Sequence, residues 1–357
     1  MKNMISKALA TIGLFLTATS LTAQDVNPYA PGGVTEGIVY YLPKTQLEIK
    51  VTANRTVYTP GDLCQYAEYY LRMKNVSSKP SVHWEIQSIQ VTPIGIPDTT
   101  KAYSIKLKDK SVMSQVDLTE NGIIKAINTT TPTPKATVED KKDTPNKPQH
   151  ADPRKFMTEE MMMAGSSNKT AELIASEIYQ IRESKNSLNR GQADYMPQDG
   201  SALRIMLDNL EEQETALTSL FTGITDTSSH SYTYYIYPEK EIDRQVIFRF
   251  SKKLGILKEN DLAGDPIYLS IVDEHILPSA TEEKQQKKRP DGIIYNIPGK
   301  GTVTINSMDK MYYKGKFPIT QFGETEILIS QLFNKKINTK VIFNPTTGGI
   351  SKINRNE

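Results

Sequence analysis

Residues 37–43 read Gly37-Ile38-Val39-Tyr40-Tyr41-Leu42-Pro43, and residues 292–298 read Gly292-Ile293-Ile294-Tyr295-Asn296-Ile297-Pro298. The likeness continues past the proline. Leu47, Ile49 and Val51 alternate as Val303 and Ile305 do, and Val57-Tyr58 matches Tyr312-Tyr313. Gln65-Tyr66-Ala67-Glu68 then matches Gln321-Phe322-Gly323-Glu324, and one insertion keeps register. Apolar residues at every second position mark a strand with one buried face. Three matched blocks in the same order read as a duplicated unit, strand–turn–strand leading into a short helix or turn. The plainer alternative is two β-rich segments that share short Gly/Tyr/Pro words. What repeats is architecture; neither copy holds a residue set that does chemistry.

Upstream of the first copy, Lys2 and Lys7 precede an apolar run from Ala8 to Leu21, and the small Ala23 follows. That order predicts a secretory signal peptide over residues 1–23. The run is too short and too broken by Thr and Ser to span a membrane. Its removal takes away two lysines and no acid, which cancels the formal charge of +2. A neutral mature chain gives no electrostatic support for a nucleic-acid partner. The single Cys64 has no internal disulfide partner, so stability must come from a packed core. Residues 24–36 are Pro- and Gly-rich and predict a flexible leader.

Downstream, strand signals fill residues 37–127, a β-rich domain. Pro43-Lys44-Thr45 is expected to be a turn, and Asp62 to cap a short helix through Tyr70. Glu120-Asn121-Gly122 predicts a hairpin, because Asn-Gly accepts positive φ. Residues 128–160 turn to Thr, Pro, Lys and Asp and predict a disordered linker. In 161–223, Ala171, Ile174, Ile178, Ile181 and Leu188 form one helical stripe. Leu203, Leu207, Leu210, Leu217 and Phe221 form a second, with Gly223 placed for a C-cap, so a helical hairpin is expected. Residues 224–357 return to strands, broken by a charged loop at 280–290. The predicted fold class is α+β: mainly antiparallel, sandwich-like sheets with an inserted helical hairpin.

Chemistry is sparse. The four histidines, His83, His150, His230 and His275, show no metal-ligand spacing, and no nucleophile elbow is present. Asp273-Glu274-His275 reads first as a solvated strand end, and His150 falls in the linker. Cys64 on the short helix has no His or Asn beside it to suggest a base. Pro298-Gly299-Lys300-Gly301 lacks phosphate-loop spacing. No catalytic residue, cofactor or metal is expected. Tyrosine is the one suggestive usage. In Tyr232-Thr233-Tyr234-Tyr235-Ile236-Tyr237, alternation puts Tyr232, Tyr234 and Ile236 on one face and Tyr235 and Tyr237 on the other. One face is core, and the other offers a platform for a sugar ring or a protein partner.

Several words together resemble a family of secreted Bacteroidetes proteins, domain of unknown function 4831. They are Val39-Tyr40-Tyr41-Leu42-Pro43-Lys44-Thr45, Gln65-Tyr66-Ala67-Glu68-Tyr69-Tyr70-Leu71, Phe248-Arg249-Phe250-Ser251, Leu262-Ala263-Gly264-Asp265-Pro266 and Asn344-Pro345-Thr346-Thr347-Gly348. The resemblance implies an exported protein of about this length and supplies no activity. Asp98-Thr99-Thr100 fits the short O-glycosylation pattern of secreted Bacteroidetes proteins. The expectation is a periplasmic or envelope-associated, non-enzymatic protein that binds or scaffolds an unidentified protein or glycan. Two alternatives stand beside it: a glycan-binding module using Tyr235 and Tyr237, and a hydrolase built from carboxylates such as Asp265, Asp273 and Glu274.

Overall fold

The computed structural model describes residues 24–28, 37–107, 115–131, 150–197, 199–277, 292–333 and 338–356. The expected signal peptide, the charged loop at 280–290 and the middle of the expected linker lie outside the described residues. The fold is α+β and dominated by antiparallel strands.

Strands β1 (Gln24–Pro28), β2 (Ile38–Thr59), β3 (Ser81–Leu107) and β6 (Ile224–Ile236) form one sheet in the order β1-β3-β2-β6. Facing it is a sheet of β7 (Ile242–Ser251), β8 (Gly255–Leu257), β9 (Asp265–Asp273), β10 (Gly292–Asn306) and β11 (Met311–Ile329), in the order β11-β10-β9-β7-β8. A third sheet holds β4 (Val116–Leu118), β5 (Ile124–Ile127), β12 (Asn338–Phe343) and β13 (Ile350–Asn356), in the order β13-β12-β5-β4. Residues 24–28, expected within a leader, instead pair with the end of β3. Residues 37–127 and 224–357 are not separate domains in the structure. β6 completes the first sheet against β2, and β12 pairs with β5.

The alternating runs explain the main core. Leu47, Ile49 and Val51 of β2 point inward against Phe248, Leu269, Ile271, Val303 and Ile305 of the facing sheet. A second core forms at the other end of the long strands, where Tyr40 and Leu42 meet Ile124, Ile127, Ile293, Leu328, Val341 and Phe343. β2, β3, β10 and β11 each run through both cores, so each must change direction between them. Prolines mark the place. Pro43 lies opposite Pro97, and the ladder slips there because four residues of β3, Asp98 to Lys101, stand against Leu42 alone. Likewise Pro298 stands against residues 320–323 of β11. Proline has no N–H for a ladder, so it sits where pairing is already broken.

Pro43-Lys44-Thr45 is therefore a kink inside one continuous strand, not a turn. The two look-alike stretches share that kinked strand and little more. Gln65 to Glu68 lies in a 3-10 turn and the helix α1 (Ala67–Leu71), whereas Gln321 to Glu324 lies within β11. Duplication of a whole unit is not what the fold contains, because the second copy bends back at 307–310 where the first runs straight on.

Buried polar groups hold the kinks together. The Tyr40 hydroxyl donates to the carbonyl of Ile294 (3.1 Å) and accepts from the same residue's N–H (3.0 Å). It thus serves one residue of β10 as a neighbouring strand would, and burial raises its pKa well above the usual phenol range. Asn296 Nδ2 donates to the carbonyls of Pro43 (2.8 Å) and Thr347 (3.0 Å). The Thr45 N–H donates to Thr320 Oγ1 (2.9 Å), while Gln321 Nε2 donates to the Thr45 carbonyl (2.7 Å). Each pairing satisfies a backbone group on a side where no strand lies beside it.

The helical hairpin packs on the far end of β2. α2 (Glu159–Met162) and a 3-10 turn at Pro153–Phe156 give structure to part of the expected linker. α3 (Ser167–Asn189) begins on the Ser166 side chain, and α4 (Gly200–Thr222) begins on Asp199, whose carboxylate accepts from the Ala202 N–H. α4 ends at Gly223, whose φ of 78° suits glycine. Ala171, Ile174, Ile178 and Ile181 bury against Leu217, Phe221, Leu63 and Leu71. Asp62 does not cap α1; no side-chain cap is made there. Gly61 passes so close to α4 that a Cβ would stand 2.2 Å from the Leu220 carbonyl oxygen. Among the described residues no helix is long and apolar enough to cross a membrane.

Candidate functional site

β6 is the element the fold treats differently. It leaves α4 at Gly223 and pairs with β2 from Thr59↔Ile224 to Leu47↔Ile236 without a register shift. Its opposite side has no strand beside it among the described residues. In an antiparallel edge strand, alternate residues turn their N–H and C=O groups outward. β6 carries one charged residue, Asp226 near its start, and has no proline, lysine or bulge. Those are the devices by which edge strands normally discourage pairing.

Other edges are short or guarded: β1 covers only Tyr103 to Leu107 of β3, and the rest of that edge carries Glu85, Pro93, Pro97 and a register shift between Ile86 and Ser88. β1, β4, β8 and β13 are brief, and β13 bears Lys352 and Arg355. β11 is long, but its exposed positions include Lys314, Lys316 and Pro318.

The two faces of β6 have different work. Tyr232, Tyr234 and Ile236 point into the main core, with the Tyr234 ring stacked on Phe248 at 5.3 Å between centroids. Burial, with the neighbouring Tyr232, pushes the Tyr234 hydroxyl up to about 12. His230 lies against Trp84 at 5.0 Å and pairs with Ser228 Oγ at 3.1 Å. Where the edge of β6 faces β7 and β8, Tyr232, Tyr234, Ile247, Ile256 and Leu257 line a groove of about 440 Å³ whose rim carries Lys258, Glu259 and Asn260. On the outer face, Tyr235 is 55% exposed and Tyr237, just past the strand, 49%. The Lys44 ammonium lies 5.7 Å from the Tyr237 ring centroid, within the range of a cation–π contact.

Of the carboxylates considered for hydrolysis, Asp265 stands apart from Asp273 and Glu274. Asp265 and Asp273 sit at opposite ends of β9, about 26 Å apart at 3.3 Å per residue. Glycosidase pairs stand at about 5–10 Å. Glu274 is engaged by Lys316 (2.6 Å), Lys300 (3.8 Å) and the Thr302 hydroxyl (2.9 Å). The Lys316 bond first, then Thr302, holds its carboxyl below the usual range. His275 Nδ1 meets Asp273 at 3.2 Å, and the Asp273 N–H donates to Glu241. Among the described residues no group of three or more His, Cys, Asp and Glu side chains can hold a metal. Cys64 is half-buried beside the turn at Gly61. Thr99 is exposed on the four-residue excursion of β3, where Asp98 Oδ1 accepts from the Thr100 N–H and hydroxyl.

One arrangement escaped sequence reasoning. His150 Nε2 and Asp226 Oδ1 meet at 2.8 Å, and His150 borders a polar pocket of about 270 Å³ with Arg182, Glu214, Thr218 and Thr222. Burial works against the Glu214 carboxylate, but bonds from Arg182 (2.6 Å) and Lys185 (3.0 Å) outweigh it and keep the pKa low. No local signal joins a histidine in a polar stretch to an aspartate on a distant strand.

The words that carry the family resemblance are structural. Val39 to Thr45 and the Asn344 to Gly348 turn meet at the kinks, through Asn296. Arg249 ties its own word to the next, with Nε donating to the Glu259 carbonyl (2.8 Å) and Nη1 to that of Gly264 (3.1 Å). None of these words lies on β6. No curated protein and no solved structure matches the chain. The family model described as Domain of unknown function (DUF4831) matches residues 36–351, from just before β2 into β13. The chain belongs to the family of domain of unknown function 4831.

Proposed function

We propose that this is an exported, non-enzymatic binding or scaffolding protein whose working surface is the edge of β6. One observation carries the reading: a 13-residue edge strand is left unguarded in a molecule whose other long edges, β11 and β3 beyond β1, bear charged residues and prolines. An added strand would satisfy the outward backbone groups of β6, and its inward side chains would enter the groove beside Tyr232 and Ile256. This is recognition by strand addition, in which main-chain bonds supply affinity and alternate pockets supply specificity.

A benzophenone side chain placed at Thr233, on the exposed face of β6, tests it in native cells. The expected result is a discrete polypeptide adduct that is absent when the group sits at Thr92 on β3. The adduct should be lost when Ser229→Lys and Ser231→Lys guard the edge. Equal labelling from both positions, or none, would overturn the reading.

The outward Tyr235 and Tyr237 favour a second reading, a glycan platform, because both rings are half exposed and Lys44 covers one. Glycan-array binding that disappears in Tyr235→Ala/Tyr237→Ala would support it; no binding by the parent protein would remove it.

A further inference from the structure

We infer that the strand β6 accepts is β6 of a second copy of this chain, antiparallel, so that two four-stranded sheets become one of eight strands. The inference rests on the edge-pairing reading and names its partner. The sequence of β6 is lopsided: Thr225 to Ser231 are small or hydroxylic apart from Asp226 and His230, and Tyr232 to Ile236 are mostly large. Antiparallel self-pairing sets the large half of one copy against the small half of the other.

With the two-fold axis at Ser231, Tyr235 faces the second copy's Thr227, Tyr234 faces its Ser228 and Tyr232 faces its His230. Thr233 faces Ser229, and Ser231 faces itself. Strand parity keeps inner residues with inner and outer with outer. The rings of Tyr234 and Tyr235 thus lie over small side chains and that of Tyr232 meets the His230 imidazole, a favourable cross-strand arrangement. Moving the axis one residue to Tyr232 would place a tyrosine opposite itself.

Charge agrees with this partner. From Thr227 to Tyr235, the segment that pairs about Ser231, the strand has no acidic or basic residue apart from His230, so no like-charged pair is created between identical copies. Asp226 stays outside the paired segment, where His150 already engages it. A two-fold axis of this kind closes the assembly at two copies, because each β6 edge is consumed by the other.

The test uses purified protein in sedimentation velocity over a range of concentrations. The parent is expected to dimerise. Ser229→Lys/Ser231→Lys should weaken the dimer about tenfold or more by setting like charges face to face, and Ser229→Asp/Ser231→Asp should do the same. An equimolar mixture of the two variants should restore dimers, which simple misfolding would not do. Both substituted positions are solvent-facing in the protomer, and unchanged thermal melts will confirm intact folds. A monomeric parent, or variants that still dimerise, would overturn the inference. If the parent is monomeric but Thr233 still cross-links another polypeptide, the edge-pairing reading stands and only its partner is wrong. If neither is seen, both fall.

Discussion

β6 and β11 each end one sheet of the main sandwich, yet their rims carry different side chains. Their inner faces are alike: Tyr232, Tyr234 and Ile236 on one, Tyr313, Phe317 and Ile319 on the other, all packed in the same core. Core formation therefore does not explain the difference at their rims. β11 has exposed Lys314 and Lys316, exposed Pro318 and a ladder slip at 320–323. β6 has unbroken register and hydroxyl side chains. That difference supports the proposed use of the β6 edge, since an unprotected edge is otherwise an aggregation hazard.

The sharpest way to break this comparison is to strip the guard. Lys314→Thr, Lys316→Thr and Pro318→Val together are expected to make the protein associate and scatter light as concentration rises. If the triple variant stays as soluble as its parent, β11 was never guarded by those residues. A smaller effect separates the two faces of β6. Tyr234→Ala should cost about 2–4 kcal/mol in urea denaturation, through lost burial and the Phe248 stack. Tyr235→Ala, its immediate neighbour, should stay within about 0.5 kcal/mol, as surface changes usually do. Equal losses would mean that the assigned faces are wrong.

The finest test concerns how the guard is held. Glu274 binds Lys316, and its carboxyl is held below the usual range by that bond and by Thr302. Because the folded value lies below the unfolded one, the stabilisation is complete above the unfolded pKa. It is lost as pH falls through the folded pKa. Lys316→Met should move the Glu274 titration upward, as read by carboxyl NMR; an unmoved titration would show that Lys316 is not its holder.

Local patterns were readable wherever local forces decide. The stripe of α3, the Gly223 end of α4 and the Asn121-Gly122 hairpin all follow from periodicity or backbone preference. So does the facing of Tyr232 and Tyr234 against Tyr235, because strand parity admits one alternative only. Pro43 misled because a proline ending an apolar run is read as a turn. It becomes a kink only when Pro97, Asn296 and the Asn344 turn supply what its ladder lacks, and those partners are remote in sequence. Tyr40 and Tyr295 occupy matched positions in near-identical words, yet Tyr40 is fully buried on Ile294 and Tyr295 pairs with Glu326 at a half-exposed site. The unguarded edge was also hidden. An edge is a property of sheet order, and nothing in Ile224 to Ile236 announces that its neighbour will be β2 on one side alone.

The insertion of the helical hairpin ahead of β6 has a consequence for the order of events during synthesis. β2 and β3 are consecutive and can pair as soon as both have been made. Thr59 must then wait for Ile224, and Leu47 for Ile236, until both long helices have followed. Pairings between residues so distant in sequence form late, because their loop-closure entropy must first be met. α4 shortens that delay. It is anchored to the end of β2 by the Tyr58 hydroxyl on the Thr222 carbonyl (3.0 Å) and by the Leu63 N–H on that of Leu220 (2.8 Å). Gly223 then turns the chain directly into β6. The helices thus act as a delivery arm: once they dock, the last strand of the first sheet starts at the end of the strand it must cover.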